Sequence, residues 1–323
     1  MDNTAISLIS VVDNMSETIF KQTVIMFALI IVGIICSKTK LISRESNRDL
    51  SGLVLNIINP VVILMAYQTE YRPELMKKLG MSFLLSVVAY GLMIALSCLL
   101  IRKKDGREVE IERFSAIYSN CGFMGIPLVN AMFGSEGVFC LTAFITVFNL
   151  CVWTHGIILI SGNSGLKSVL KALRSPTMLA IYLGLIMFIA RIKLPSLLSQ
   201  TLTYISDMNT PMAMIVSGVT IAGTKPHELV KNGRIYFVSM LRLVVFPLAV
   251  LLALLSFGAD PEVLMTVVVA SAAPPAAMCT LHCIRYNKNS VYSSEIFTAG
   301  TIISVFTLPL LAKIAEKLQN QFS

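Results

Sequence analysis

Unbroken apolar runs of about 20 residues recur along the sequence and constrain its fold more than any other feature. The first reads IFKQTVIMFALIIVGIICS over 19–37, and others follow at about 48–67, 79–101, 113–132, 136–160, 176–191, 196–223, 235–257, 262–284 and 291–314. Runs of this length match helices crossing a hydrocarbon core of about 30 Å at a rise of 1.5 Å per residue. The strands of a membrane barrel are about 10 residues long and alternate in polarity, so a barrel is excluded. With 55% hydrophobic and only 14% charged residues, the chain cannot clothe a water-facing surface, for which soluble proteins use roughly 25% charged residues. The expected fold is all-α and integral to the membrane, with ten transmembrane helices and little chain left for a soluble domain.

The charges set the orientation. The first run follows Asp2, Asp13 and Glu17 instead of the basic region of a secretory signal, so it reads as a retained span. Of the 26 Lys and Arg, 17 fall in loops or run ends on one side of the membrane and 8 on the other, with Arg242 alone more than two residues inside a run. The richer side is cytoplasmic by the positive-inside rule, and with ten spans both termini lie outside, at the cell membrane. The net charge of +8 thereby reports topology, and no basic groove with interleaved aromatics speaks for nucleic acid. All seven cysteines lie in or beside apolar runs, as packing residues and not as a disulfide framework.

The segment SGNSGLKSVLKALRS (161–175) is too polar to cross. Leu166, Val169, Leu170 and Leu173 share one helical face opposite Lys167, Lys171 and Arg174, the pattern of a helix lying on the cytoplasmic leaflet. Five runs precede this linker and five follow it. Halves with an odd number of spans that share a fold must sit in opposite orientations, the inverted-repeat plan of many secondary transporters. The expected units are residues 1–160, the linker 161–175 and residues 176–323. Interruptions in the halves correspond: Asn56, Asn59 and Pro60 in the second run answer Asp207, Asn209 and Pro211 in the seventh, and SNCGFMGIPL (119–128) in the fourth answers ASAAPPAAM (270–278) in the ninth.

Matched breaks carry chemistry. Pro127 lacks the amide a helix interior requires, and Gly122 and Gly125 each cost about 1 kcal/mol against Ala. Pro274 and Pro275 repeat the device. The half-helices after Pro127 and Pro275 are expected to aim N-termini at the midplane from opposite sides, each with roughly half a positive charge and orphan amides, a pair suited to one carboxylate with Asn120 beside it.

At these residues the sequence resembles the auxin efflux carrier family, which includes the plant PIN proteins and bacterial organic-anion permeases. The resemblance rests on NCGFMGIPLVNAMFG (120–134), AAPPAAMCTLHCIRYN (272–287) and SSEIFTAGTIISVFTLPL (293–310), and extends over nearly the whole chain. It implies ten helices in two inverted repeats of five, each with a scaffold and a transport part, in the architecture shared with bile-acid symporters and sodium–proton antiporters. The broken fourth and ninth helices then cross at prolines, a homodimer is implied, and the cargo is a carboxylate anion. Carried over by motif, Asn120, Cys121, Gly122, Gly125, Pro127, Pro274 and Pro275 form the substrate site. The long hydrophilic loop of the plant carriers is replaced by 161–175 alone, which favours bacterial-type substrates such as malate or malonate.

Few ionisable groups lie within the runs. An Asp at the bilayer centre costs about 2.5–3.5 kcal/mol, so Asp207 is expected to face a cavity, where with Asn209 it binds a proton or Na⁺. Glu295, Asn56 and Asn59 complete the expected ion-coupling set. Arg242 is expected either to pair with Glu295 or to snorkel toward the interface. Cys279, His282 and Cys283 lie at i, i+3 and i+4, but the fourth ligand of a closed metal site is missing. No cofactor is implied. The leading class is a secondary transporter of small organic anions working by alternating access. A channel or membrane signalling scaffold is the alternative, and an intramembrane enzyme ranks lower because the H-E-x-x-H and G-x-S-x-G patterns are absent.

Overall fold

A computed structural model describes residues 15–104, 107–162, 170, 173–224 and 232–322. Most of the expected linker helix over 161–175, residues 163–169 and 171–172, lies outside the described residues. The described chain is helical: α1 (Met15–Lys38), α2 (Arg44–Ala66), α3 (Pro73–Leu100), α4 (Val109–Ile117), α5 (Cys121–Ser161), α6 (Pro176–Ile189), α7 (Ser196–Asp207), α8 (Asn209–Ala222), α9 (Gly233–Leu255), α10 (Pro261–Ala272), α11 (Met278–Arg285) and α12 (Ser290–Phe322). Six of these, α1, α2, α3, α5, α9 and α12, are long and apolar enough to cross a membrane, and α6 and α10 are shorter apolar helices. The protein is a multi-pass, all-helical membrane protein.

Its outer surface has the character of a lipid-facing one. Leu197, Phe306, Ile186 and Leu310 are all exposed by more than half their area, while nearly every residue of α10 from Val263 to Ala272 is buried. Exposed apolar patches on this scale are rare in soluble proteins. In α5 the chain bends at Gly134, whose φ of 61° and ψ of −151° are open to glycine alone, so the 41 residues of α5 form two helical segments. Helix α10 fills the interior against α5, α3 and α9, and α1 runs along α8 and α12.

Prolines shape the helices without ending them. In α2, α5 and α9 a five-residue π turn (Val54–Ile58, Cys121–Gly125, Leu241–Val245) stops two residues before Pro60, Pro127 and Pro247. The amides of Asn59, Ile126 and Phe246 reach back five residues to Val54, Cys121 and Leu241. A proline ring clashes with the carbonyl four residues earlier, and one extra residue in the turn relieves that clash.

Close approach of α1 to α8 depends on two glycines. A Cβ on Gly33 would overlap the carbonyl of Ile215, and one on Gly218 would overlap the carbonyl of Ile30. Small residues at such crossings let backbones touch where lipid supplies no hydrophobic drive for association.

Candidate functional site

Two interrupted helices meet in the interior. Helix α4 stops at Ile117 and α5 begins at Cys121; α10 stops at Ala272 and α11 begins at Met278. Between these ends Ser119 and Pro275 face each other in a one-residue antiparallel bridge. The Asn120 amide donates to the Pro274 carbonyl at 2.7 Å, and the Ala276 amide donates to the Tyr118 carbonyl at 2.9 Å. Each interrupted stretch thus gives one bond and takes one, satisfying backbone groups that hydrocarbon could not. Pro274 and Pro275, which have no amide to offer, stand where only carbonyls and ring faces are used. A Cβ on Gly300 of α12 would overlap the Pro275 ring, so this glycine seats the crossing.

The break in the first strand is therefore at Tyr118–Asn120, seven residues before Pro127 at its far end. Pro127 itself is the second residue of a regular helical segment and follows the π turn Cys121–Gly125. The corresponding half-helix N-terminus is at Cys121, not after the proline. The amides of Met124 and Gly125 both reach the Asn120 carbonyl, at 2.9 and 3.4 Å, while those of Cys121, Gly122 and Phe123 find no backbone acceptor among the described residues. On the other strand the amides of Ala277 and Met278 are likewise free of backbone acceptors there. These are the orphan donors of two helix starts.

Unpartnered side-chain groups collect beside them. Asn120 is 6% exposed, and its Nδ2 has no hydrogen-bond partner. The Asn59 amide lies against Gly122, where a Cβ would stand 3.2 Å from its Nδ2, and its Oδ1 is buried without a partner. Asn209 opens α8, which packs on the π turn Cys121–Gly125; both its side-chain polar atoms are buried and unpartnered. Buried amides without partners are uncommon. Gly125 faces Ala270 of α10 and serves close packing. Cys121 is buried at the start of the half-helix.

Other expected residues lie elsewhere. Asp207 is exposed at the end of α7, a helix with no buried residue, and Asn56 is exposed and bonded to the Gly52 carbonyl of its own helix at 2.8 Å. Neither is gathered with Asn59 and Asn209. Glu295 is buried in α12, five residues or about 7.5 Å of helical rise before Gly300.

Arg242 does not snorkel. It is wholly buried in the π turn of α9, and its guanidinium donates to Ala273 (3.0 Å), Ala116 (3.1 Å), Ile117 (3.0 Å) and Ser271, with Met93 Sδ at 3.6 Å. These carbonyls belong to the last turns of α4 and α10 and the residue beyond, so one side chain closes both helix ends behind the crossing. Sequence reasoning did not single out Glu112, 1% exposed, which takes a two-pronged bond from Arg234 at 2.9 and 2.8 Å and one from Tyr292 at 3.1 Å. This cluster ties α4, α9 and α12 together. The only signal for it was an acidic residue at the head of an apolar run.

The profile of the membrane transport protein family matches residues 18–312. An uncharacterized transporter of Escherichia coli, YfdV, is 22% identical over 294 residues, 87% of this chain and 93% of that protein. An uncharacterized transporter of Methanothermobacter thermautotrophicus is 28% identical over a stretch of the same length, again 87% of this chain and 93% of its own. Another from Methanocaldococcus jannaschii is 24% identical over 218 residues, 61% of this chain and 67% of that one. With all but the two ends of the chain covered, the protein belongs to the membrane transport protein family, the auxin efflux carrier family that its motifs resemble.

Proposed function

We propose that this chain is a secondary transporter of small organic anions, and that the carboxylate of its cargo rests at the crossing of α4–α5 with α10–α11. One observation carries the reading: two helix starts, at Cys121 and Met278, meet across a two-bond crossing beside the buried, unpartnered Nδ2 of Asn120. Orphan amides, helix N-termini and an amide donor are the groups that hold a carboxylate. Cys121 and Gly122 supply backbone donors, while Pro274 and Pro275 shape the opposite wall. The proposal includes ten spans in two inverted repeats, 1–160 and 176–323, joined by a linker at 161–175, at the cell membrane with both termini outside and, by resemblance, as a homodimer.

Coupling to H⁺ or Na⁺ belongs to the same proposal. Asn59 lies against Gly122, Asn209 opens the helix packed on the Cys121–Gly125 turn, and Glu295 is a buried carboxyl on the helix that seats Pro275. Asp207 and Asn56, exposed as they are, take no part in it. The test is uptake by proteoliposomes of a panel of mono- and dicarboxylates, malate and malonate among them, with and without a Na⁺ or pH gradient. Saturable uptake with counterflow supports a carrier, whereas steady current above carrier rates would mean a channel. Absence of both binding and uptake across the panel removes the anion reading.

A further inference from the structure

Arg242 raises a question that the anion reading leaves open. Two helices end and two begin at the crossing, and each end carries about half an elementary charge, negative at the C-termini of α4 and α10 and positive at the N-termini of α5 and α11. By themselves these four ends cancel to about zero, and a neutral crossing has no preference for an anion. The Arg242 guanidinium lies on the two negative ends, bonded to Ala116 and Ile117 of α4 and to Ser271 and Ala273 at the end of α10. None of the five ion pairs among the described residues includes it. The sum over the four helix ends and Arg242 becomes about one positive charge.

We infer that Arg242 is the fixed countercharge of the crossing, a positioning residue that makes the site net positive and sets its preference by ligand charge without touching the ligand. This deepens the anion proposal and rests on it. A purely structural role, closing four backbone carbonyls, would need donors but not charge. The two roles differ in what they predict. A structural defect lowers affinity for every ligand alike, whereas loss of a fixed charge acts in proportion to the charge of the ligand. An arginine also holds its proton more firmly than a lysine in the same buried place.

The experiment measures equilibrium binding of lactate and malate, alike but for one carboxylate, to purified wild-type protein, Arg242→Gln and Arg242→Lys. In Arg242→Gln affinity is expected to fall about 10-fold for lactate and about 100-fold for malate. Arg242→Lys should keep malate binding at pH 7 and lose it as pH rises toward 9.5, below the usual lysine pKa of about 10.4, while wild type stays flat. Equal losses for the two anions, or a lysine variant as insensitive to pH as wild type, would overturn the assignment and leave the anion reading standing. If neither variant folds, wild type decides: at pH 7 malate is expected to bind about 10-fold more tightly than lactate, and equal or weaker binding of malate rejects a net positive crossing and with it Arg242 as the countercharge. Failure of wild type to bind either anion removes the anion reading and this inference together.

Discussion

The amide of Asn120 donates to the carbonyl of Pro274 at 2.7 Å, and this bond, returned by Ala276 to Tyr118, pairs the two interrupted stretches backbone to backbone. The Asn120 side chain takes no part in that pairing. Asn120→Ala removes a buried Nδ2 that has no partner in the protein. The melting temperature should therefore change little or rise, since an unsatisfied buried amide costs stability. Carboxylate binding should weaken about 10-fold, the value of one hydrogen bond to a charged group. Thermal melts and equilibrium binding on the same preparation check both halves.

Gly300 seats the Pro275 ring, and any side chain there must push the crossing off α12. Gly300→Ala is expected to cost about 1–3 kcal/mol, the range for overpacking a filled interior, and to lower uptake more than it lowers expression. Gly91→Ala in α3 is the control, because nothing lies within 4 Å of the added Cβ and Ala is the better helix former. A Gly300→Ala protein as stable and active as the Gly91→Ala protein would contradict the packing.

Glu112 is almost fully buried, and Arg234 and Tyr292 supply its bonds. Arg234→Met leaves an uncompensated buried carboxylate, a loss of about 3–5 kcal/mol where one partner of such a pair is removed. Removing the charge on both sides, with Glu112→Gln and Arg234→Met together, should recover much of that loss. Melting temperatures of the single and double variants measure the coupling, and additive losses would show that the pair contributes nothing as a pair.

The order of apolar runs and the two interrupted spans were legible because a bilayer leaves so few ways to satisfy backbone groups. The break point was not. Pro127 announces a disturbance, but a π turn absorbs it, and the actual interruption falls on Tyr118, Ser119 and Asn120, which carry no helix-breaking signal. Only their pairing with Pro274–Ala276, more than 150 residues away in sequence, makes that stretch extended. Arg242 was misplaced for a related reason. A hydropathy pattern shows a charge in an apolar run, but the acceptors that hold it come from two helix ends brought together by the fold. Asp207 is exposed because α7 as a whole buries no residue, and Asn56 because its amide turns back to the Gly52 carbonyl of its own helix; neither placement is marked by the residue type.

Asn209 and Asp207 are two residues apart, yet one is buried at the start of α8 and the other exposed at the end of α7. Their variants separate the expected coupling set into members that matter and members that do not. Asn209 opens α8, the helix that packs on the Cys121–Gly125 turn, and its amide keeps both polar atoms without protein partners. Asn209→Ala should therefore preserve the fold while changing how uptake responds to an imposed Na⁺ or pH gradient, with a loss of several-fold in the gradient-driven component. Asp207→Asn, on an exposed surface, should leave uptake within about two-fold, as surface substitutions usually stay within about 0.5 kcal/mol. Uptake with each gradient imposed alone gives the comparison. Loss of gradient response in Asp207→Asn with none in Asn209→Ala would move the coupling site from the crossing to the outer face of α7.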